Sequence, residues 1–480
     1  MALELTRIQT GVAELDAVLR GGVLRNRIHL IEGRPGTGKT TIGLCYLMHG
    51  IRQGETCLYV TLSESAQELH ATAANHGWSL EGIHIEELMP LPPGSAPSQT
   101  ILLPTDSELS ALVDRVADLV AESGAQRVVI DSMVEIRLLA HDSAQYRRQI
   151  IELRRRLSDI GATVLLLDDL TSQEREYELQ SAVHGVLTLE QLERNFGAAR
   201  RRLRVVKLRG GDFQSGWHDY AIKTGAVLVF PSLIAQEHHC DEPDVEAFSG
   251  VAGFDEMFGG PLRTGCSTML LGPSGVGKST LALQYAQSML KGGHRVGYFT
   301  FDEAESTLRS RLVSERDRGA PEGMPPNFDL RRVNPSRISP GEFIWNVRRL
   351  VEDENARLII IDSINSFLDV IREEKSLLLQ MNELFSYLGN MNVMSIIIGA
   401  HSARLDTSKE PDVLSIITDN IISMRYFERD DTIHKAICVL KKRKGPHSHQ
   451  IRAVHLTEQG IEIGASIAAD ELDGAMPLEH

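Results

Sequence analysis

The sequence predicts an α/β protein of two tandem domains, each with a mainly parallel sheet flanked by helices. Three observations lead to this prediction: the chain repeats itself once, short apolar runs alternate with helical patterns in both copies, and a glycine-rich loop follows the first run of each copy. Short runs rich in branched residues and separated by helices are typical of strands buried on both faces of a parallel sheet. The 480 residues are enough for two or three domains.

The repeat is visible in two motifs that return at a constant spacing. Gly11 of the opening Gly-Val-Ala motif returns as Gly250, and Lys39 of the glycine-rich loop returns as Lys278, so the members of both pairs are 239 residues apart. A period this long excludes a solenoid and indicates a duplicated domain. We therefore predict one domain over residues 1–235, a polar linker over residues 236–247, and a second domain with a short tail over residues 248–480.

Both copies have the same predicted order of elements. In the first copy the predicted strands cover residues 27–32, 57–62, 127–131 and 163–167, and the predicted helices cover residues 40–53, 107–123 and 144–159. In the second copy the predicted strands cover residues 266–271, 295–301, 358–361 and 393–399. The stretch from Arg200 to Arg204 alternates like a strand, and its charge predicts an exposed edge of the sheet rather than a binding site.

Composition and charge narrow the classes of function. The chain has 50 Lys and Arg against 65 Asp and Glu, a formal net charge of −15, which disfavours nucleic acid as a partner. Its five cysteines are scattered, so the sequence predicts neither a zinc site nor a disulfide framework and fits a reducing compartment. No apolar run approaches the roughly 18 residues of a membrane-spanning helix, and the first residues do not resemble a signal peptide. We expect a soluble, cytoplasmic protein that does not bind a membrane.

Two loops of the form G-x-x-x-x-G-K-[ST] predict nucleotide sites. Each loop follows an apolar run and precedes a helical pattern, the context in which backbone N–H groups and a helix N-terminus hold phosphates. The lysines Lys39 and Lys278 are expected to reach the β- and γ-phosphate oxygens of ATP. The predicted ATP-binding residues of the loops are Gly33, Gly36, Thr37, Gly38, Lys39, Thr40 and Thr41 in the first copy, and Gly272, Ser274, Gly275, Val276, Gly277, Lys278, Ser279 and Thr280 in the second.

A magnesium site is predicted beside each loop. The hydroxyl groups of Thr40 and Ser279 are expected to hold Mg²⁺. A carboxylate at the end of an apolar strand supplies the second metal partner, and Asp131 and Asp362 end such strands. The predicted metal ligands are therefore one hydroxyl and one carboxylate in each copy.

Hydrolysis also needs a base that orients water, and acidic residues follow the second predicted strand of each copy. Strand ends beside a phosphate loop face the γ-phosphate. We therefore predict catalytic roles for Glu64 in the first copy and for Asp302 and Glu303 in the second.

Basic motifs recur near the end of each copy. A block such as the second one could be a nucleic-acid patch. Its correspondence with the first copy favours a nucleotide-facing role instead, with the cations reaching across a subunit boundary as a finger. The residues predicted to bind ATP in this way are Lys207, Leu208 and Arg209 in the first copy, and Lys441, Lys442 and Arg443 in the second.

These motifs together resemble the KaiC family, the RecA-like P-loop ATPases of the bacterial circadian clock and their relatives. The resemblance covers nearly the whole chain and includes the stretch from Asn75 to Trp78 and the Lys-Leu-Arg-Gly motif that ends at Gly210. It implies two RecA-like domains that bind ATP with Mg²⁺ and a homohexamer with nucleotide between neighbouring subunits. It also implies a protein partner, either KaiB-like or a signalling protein.

Two departures from the family pattern concern the chemistry that the resemblance implies. Proteins of the clock phosphorylate a Ser-Thr pair in their second domain; Ser415 matches the serine, but Ile416 replaces the threonine, which leaves phosphorylation of Ser415 alone. The family usually has two adjacent glutamates after the second strand. Ser63 replaces the first of them in one copy and Asp302 in the other, so the base in the first copy is Glu64.

The leading interpretation is a KaiC-like ring ATPase with serine autokinase activity that serves as a timing or signalling regulator. A RecA- or DnaB-like DNA-handling ATPase is an alternative from another class, and the acidic net charge opposes it. A nucleotide-dependent assembly scaffold is a third, and Ser63 favours it for the first domain.

Overall fold

The structure of the protein, a computed structural model, describes residues 6–88, 104–170, 176–193, 197–312, 325–370, 376–399, 417–429, 431–457 and 460–467. The chain divides into two compact units, Met1–Ser232 and Leu233–His480. Each unit is built on one large sheet with hydrophobic clusters on its two faces. The boundaries of the linker over residues 236–247 stay a prediction.

The sheet of the first unit is parallel at its centre and antiparallel at one end. The strands of this unit are β1 (Arg7–Ile8), β2 (Val23–Leu24), β3 (Ile28–Gly33), β4 (Cys57–Thr61), β5 (Ile83–Glu87), β6 (Arg127–Asp131), β7 (Thr163–Asp169), β8 (Gly185–Leu192), β9 (Arg200–Leu208), β10 (His218–Lys223) and β11 (Ala226–Phe230). In the described residues the order of the large sheet is β11-β10-β9-β8-β3-β7-β6-β4-β5. Strands β3 to β8 pair in parallel, and β9 to β11 continue the sheet in the antiparallel sense.

Helices cover both faces of this sheet. They are α1 (Ala13–Val18), α2 (Lys39–Arg52), α3 (Ala66–Asn75), α4 (Pro104–Ser123), α5 (Met133–Leu138), α6 (Ser143–Ile160) and α7 (Glu176–Ala182). Successive side chains of a strand point to opposite faces. Accordingly, Tyr59 of β4 packs in the hydrophobic cluster that includes α2, while Leu58 and Val60 pack in the cluster that includes α4 and α6. The central strands are therefore buried on both faces, as their apolar runs predict.

The second unit repeats the same plan. Its strands are β12 (Glu246–Ala247), β13 (Leu262–Arg263), β14 (Ser267–Leu271), β15 (Arg295–Thr300), β16 (Phe328–Arg332), β17 (Ala356–Asp362), β18 (Met394–Gly399), β19 (Asn420–Arg429), β20 (Thr432–Lys442), β21 (Arg452–Thr457) and β22 (Gly460–Ser466). Within the described ranges, the large sheet has the order β16-β15-β17-β18-β14-β19-β20-β21-β22. Pairing is parallel from β16 to β19 and antiparallel from β19 to β22.

The helices of the second unit follow the strands in the same alternation. They are α8 (Ala252–Phe258), α9 (Lys278–Lys291), α10 (Glu305–Leu312), α11 (Pro340–Glu352), α12 (Ile364–Val370) and α13 (Ser376–Asn390), after a short 3₁₀ turn at Ala235–Glu237. Among the helices that the structure describes, in either unit, none is long and apolar enough to cross a membrane. The predicted fold class, two tandem α/β domains with mainly parallel sheets, is confirmed.

The prediction of an exposed sheet edge at Arg200 to Arg204 is wrong. These residues lie in β9, which pairs with β8 on one side and β10 on the other. The guanidinium group of Arg200 is buried and donates two hydrogen bonds to Asp219 of β10, at 2.7 and 3.0 Å. Alternating charge indicates one polar face of a strand, but it does not distinguish an edge strand from an interior strand whose arginines pair with neighbouring acids.

Candidate nucleotide site

In each unit a glycine-rich loop connects a parallel strand to a long helix: β3 leads into α2, and β14 leads into α9. In the order of its sheet, this strand is next but one to the antiparallel strands. Gly38 and Gly277 are the N-terminal caps of these helices, with φ angles of +91° and +117° that side-chain-bearing residues rarely adopt. A Cβ atom at Gly38 would lie 2.3 Å from Ile222 Cδ1. The first backbone N–H groups of each helix have no partner within the helix and are therefore suited to an anion.

A hydroxyl and a carboxylate meet beside each loop. Thr40 Oγ1 donates to Asp131 Oδ2 at 2.8 Å, and Ser279 Oγ donates to Asp362 Oδ2 at 2.7 Å. Burial raises the pKa of Asp131, while the hydroxyl donors around it lower that pKa. Hydroxyl and carboxylate oxygens are ligands that suit Mg²⁺, which usually binds one or two carboxylates together with the phosphates of its nucleotide. The residues present therefore fit the predicted metal ion in both units.

Two tyrosines complete these pairs and were not predicted from the sequence. The hydroxyl groups of Tyr59 and Tyr298 donate to Asp131 Oδ2 and Asp362 Oδ2, each at 2.6 Å. Burial raises the pKa of both tyrosines far above the usual value, so both remain donors. The sequence held one signal for them, because the two tyrosines are also 239 residues apart.

The acidic residues that follow β4 in the first unit and β15 in the second lie in equivalent turns. Leu62 N donates to the Asp131 carbonyl at 2.6 Å, and Phe301 N donates to the Asp362 carbonyl at 2.7 Å, which ties each turn to the strand of the metal-site carboxylate. The amide N–H groups of Glu64 and Glu303 donate to threonine hydroxyls at 3.1 Å in both units. Burial raises the pKa of Glu64, and the negative charge of Asp131 raises it further. Each turn thus brings its glutamate close to the predicted metal site.

An acid and a serine exchange positions between the two units. In the second unit, Asp302 accepts hydrogen bonds from Ser366 at 2.6 Å and from Ser363 at 2.9 Å. Ser363 directly follows Asp362, just as Ser132 follows Asp131, and both of these Asp-Ser peptide bonds are cis. At the positions that correspond to Asp302 and Ser366, the first unit has Ser63 and Glu135. The carboxylate that Ser63 lacks is thus present on helix α5.

The two loop lysines have different partners. Lys39 Nζ donates to the Gly33 carbonyl at 2.9 Å and the Arg34 carbonyl at 3.2 Å, and it forms an ion pair with Asp169 at the end of β7. Lys278 Nζ donates to the Gly272 and Pro273 carbonyls at 2.6 and 2.7 Å. Burial lowers the pKa of Lys278. Within the described residues only Lys39 forms an ion pair with a carboxylate, whereas Lys278 feels the negative charge of Asp362, which raises its pKa, without forming one.

The remaining loop residues surround the same cradle. Thr37, Thr41 and Val276 are buried, whereas Gly36, Ser274 and Gly275 are exposed at the tips of the loops. Tyrosine hydroxyls from the sheets support both tips: Tyr220 donates to the Thr37 carbonyl at 2.5 Å, and Tyr426 donates to the Ser274 carbonyl at 3.1 Å. Gly33, Gly272 and Thr280 lie at the two ends of the loops.

The basic motifs lie away from the loops of their own units. Lys207 pairs with Val186 of β8, which pairs with Leu30 of β3, so it lies two strands from β3 and about 10 Å before the loop begins. In the second unit, Lys441 holds the same position relative to β14. Contacts with backbone carbonyls hold both lysines and Arg209, whose partner is the Ser181 carbonyl at 3.0 Å.

The other members of the two motifs have local partners. Arg443 donates to Asp419 at 3.3 Å, and Lys442 donates to the Phe258 carbonyl at 2.8 Å. Leu208 is buried in the core. Ser415 and Ile416 lie outside the described residues, so the predicted phosphorylation site stays a prediction, as do the individual roles of the site residues.

Comparison with known proteins identifies relatives over nearly the whole chain. A family model described as "ATPase: KaiC" matches residues 8–234 and 247–467. The circadian clock oscillator protein KaiC of Acaryochloris marina is 24% identical over 477 residues, which cover 96% of this chain and 89% of that protein. The circadian clock protein KaiC3 of Synechocystis is 25% identical over 468 residues, with 96% of this chain and 92% of that protein covered.

The family model matches the chain twice, once in each unit that carries a phosphate loop. The two sheets have the architecture of tandem RecA-like domains, and membership of an ATPase family implies that the chain binds ATP. Its relatives include circadian clock proteins. On the evidence of its two repeats, the chain belongs to the KaiC family of ATPases.

Proposed function

We propose that this protein is a ring-forming ATPase that hydrolyses ATP with Mg²⁺ and serves as a timing or signalling regulator. The observation that carries the proposal is the occurrence, in both units, of the same constellation of loop lysine, hydroxyl, strand-end carboxylate and neighbouring glutamate. Thr40 and Asp131 would hold Mg²⁺ in the first unit, and Ser279 and Asp362 would hold it in the second. The bound ion would offset the charge on the phosphates.

The remaining residues of each site act on the nucleotide and on water. The loop N–H groups and the lysine bind the β- and γ-phosphates, and the tyrosine hydroxyl keeps the strand-end carboxylate oriented. Glu64 or Glu303 accepts a proton from the attacking water. The water oxygen bonds to the γ-phosphorus, and the bond between the γ-phosphorus and the β–γ bridging oxygen breaks. The products are ADP and inorganic phosphate. The proton on the glutamate returns to solvent.

A homohexamer with nucleotide between subunits is the assembly we propose. The position of Lys207 and Lys441 supports it, since each lies two strands and about 10 Å from the loop of its own unit. Such cations serve a nucleotide held by a neighbouring subunit more readily than one held by their own. A KaiB-like or signalling protein is the partner that the family relationship favours.

We further propose autophosphorylation of Ser415 in the second domain. Asp302 and Glu303 support it, because a carboxylate able to take a proton from water can also take one from a serine hydroxyl. The serine oxygen then bonds to the γ-phosphorus, ADP leaves, and the proton passes to the carboxylate. The single phosphorylation site follows from Ile416, which has no hydroxyl group.

The experiment is intact-mass measurement of the purified protein before and after incubation with ATP and Mg²⁺, with phosphate release followed in parallel. We expect one added phosphoryl group, absent in Ser415→Ala and in Glu303→Gln. ATP consumption without added mass would leave a ring ATPase and refute the autokinase. Absence of both would refute the proposed catalysis.

A nucleotide-dependent assembly scaffold is the second candidate, for the first domain only. Ser63 in place of an acid favours it. Under this candidate ATP binding closes the ring and turnover in the first domain is incidental. A large loss of steady-state ATPase activity in Glu64→Gln would exclude it.

A further inference from the structure

We propose that Asp169 is a specificity-determining residue that makes the first nucleotide site select against the γ-phosphate, so that this site favours ADP relative to ATP more strongly than the second site does. The inference rests on the proposed function, because it assumes that both loops bind nucleotide. It concerns a residue that the loop motif does not include.

The position of Asp169 follows from the order of the sheet. Strand β7 lies between β3, which leads into the phosphate loop, and β6, which ends at Asp131. Asp169 pairs with Gly33, the first residue of the loop motif, and Leu170 N donates to the Gly33 carbonyl at 3.2 Å. The carboxyl ends of parallel strands meet at one edge of a sheet. Asp169 therefore stands at the mouth of the cradle, between the loop and the metal-site carboxylate.

The ion pair with Lys39 shows which group Asp169 would compete with. The Lys39 side chain is 7% exposed and the Asp169 side chain 27%, so the carboxylate reaches the buried ammonium group from the open side of the site. That ammonium group is the one expected to contact the β- and γ-phosphates. The Asp169 carboxylate at Lys39 therefore occupies the position that a phosphate oxygen of the nucleotide would take.

Neighbouring side chains keep Asp169 in place. Arg137 of α5 donates to Asp168 Oδ1 at 3.0 Å and to the Asp169 carbonyl at 3.0 Å. Asp168 is buried, and Glu32 beside it accepts from Thr188 at 2.8 Å. The end of β7 is thus fixed by one cation on the side that faces away from Lys39. Asp169 is a built part of the site rather than a loose surface carboxylate.

The second unit provides an internal comparison. The pair Glu32 and Asp168 in β3 and β7 corresponds to Leu271 and Gly399 in β14 and β18, which pair in the same parallel register. Ala400 follows Gly399, and Leu368 occupies the position of Arg137. The carboxylates at the end of the strand and the arginine that holds them are all absent from the second copy. At the end of this strand, therefore, the two sites differ in charge.

The selectivity follows from the charges. A γ-phosphate brings additional negative charge to the mouth of the cradle, where Asp169 repels it and competes for Lys39. ADP does not carry that group and keeps the contacts of its β-phosphate with the loop N–H groups. A carboxylate at this position therefore weakens ATP binding more than ADP binding.

The test is a pair of binding titrations on the full chain, with ADP and with the non-hydrolysable ATP analogue AMP-PNP, both in Mg²⁺. Lys278→Ala is included in every protein to weaken the second site. We expect Asp169→Asn to lower the ratio of the AMP-PNP to the ADP dissociation constant by on the order of tenfold. Asp169→Ser provides a second variant that also removes the charge. Asp159→Asn, which removes a carboxylate from the exposed face of α6, is the matched control and should leave the ratio unchanged.

The outcomes separate this inference from the function on which it rests. An equal change in both dissociation constants, or no change, would overturn the inference while leaving the first site a nucleotide site. If the Lys278→Ala protein binds neither nucleotide although the unmodified chain binds one, the proposed function of the first site fails instead. A shift of the ratio in Asp159→Asn as large as in Asp169→Asn would also overturn the inference, since overall charge would then explain it.

Discussion

At the scale of single residues, two tyrosine hydroxyls hold the carboxylates of the predicted metal sites. Tyr298 donates to Asp362 at 2.6 Å from the middle of β15, and its ring is buried. Tyr285 on α9 is equally buried, but its hydroxyl has no hydrogen-bond partner among the described residues. The chain thus offers two buried tyrosines that differ in whether the hydroxyl group is used.

We expect Tyr298→Phe to lower the free energy of unfolding of the second unit by about 1–3 kcal/mol, because it removes a hydrogen bond to a carboxylate. Tyr285→Phe should change it by much less, since no partner is left unsatisfied. Urea denaturation of both variants measures the difference. Equal losses in the two variants would contradict the assigned hydrogen bond.

Asp168 predicts a pH dependence in the first unit. Burial raises its pKa to about 7, although the Arg137 guanidinium 3.0 Å away lowers it. Because the folded pKa lies above the unfolded value, the neutral form is favoured on folding: stability from this group is fully present below about pH 4 and is lost as the pH rises through 7. Over that range the folded state holds one more proton than the unfolded state.

We therefore expect Asp168→Asn to remove a decrease of about 1.4 kcal/mol per pH unit in the free energy of unfolding of the first unit between pH 4 and pH 7. Denaturation of the wild type and the variant at several pH values measures the two slopes. Parallel slopes would show that Asp168 is charged in the folded state throughout this range.

The residues of the loops could be predicted from sequence because their spacing is local: the chemistry of a phosphate cradle fixes glycines, lysine and hydroxyl within eight positions. Asp169 could not. Its place beside Gly33 depends on which strand lies next to β3, and β7 is more than a hundred residues further along the chain. Tyr59 needed the same information, since only the strand order brings it to Asp131.

At the scale of elements, the strand-to-helix turns after β6 and β17 distinguish the two copies. Helix α12 presents Ser366 to Asp302, whereas the corresponding positions on α5 and after β4 hold Glu135 and Ser63. The backbone hydrogen bonds that fix the turn after the second strand are the same in both units. Exchanging the side chains at these two positions therefore tests the side chains without changing the backbone of the turn.

We expect Ser63→Asp combined with Glu135→Ser to give a faster first site than Ser63→Asp alone, because the single variant places two carboxylates opposite each other. Phosphate release in a Lys278→Ala background measures the first site. Ser79→Asp, on the loop before β5, serves as a control for added charge. If the single and the double variant hydrolyse ATP at the same rate, the two positions do not face each other in the first unit.

The parallel strands could be predicted because each is an apolar run that can be recognised in the sequence by itself. The antiparallel end of each sheet was not predicted. Strands β9 to β11 carry charged and aromatic residues whose partners lie on neighbouring strands, as Arg200 and Asp219 illustrate. Alternation in one segment does not reveal such a partner. The same limit produced the wrong prediction of an exposed edge.

At the scale of the whole molecule, the basic motifs predict sites that are shared between subunits. We expect Lys39→Ala/Lys278→Ala and Arg209→Ala/Arg443→Ala proteins each to be inactive in ATP hydrolysis. When the two proteins are mixed at random, about a quarter of the sites should combine an intact loop lysine with an intact arginine. Each subunit contributes the loop to one boundary and the arginine to the other. Phosphate release from mixtures measures this recovery. A mixture no more active than its components would contradict shared sites.

The duplication itself was predicted from sequence, because corresponding glycines and lysines keep one spacing over half the chain. The number of chains in the assembly depends on the surfaces of the subunits, which no sequence motif specifies. The homohexamer is therefore a proposal.

The shared sites that we propose from the distance between each basic motif and the loop of its own unit would have a consequence for the cell. A nucleotide held by two subunits would favour the assembled state by mass action, so its concentration would set how much of the protein is assembled. A first site biased towards ADP and a second site without that bias would then respond to different parts of the adenylate pool. The assembly would register the energy charge of the cell as well as its supply of ATP.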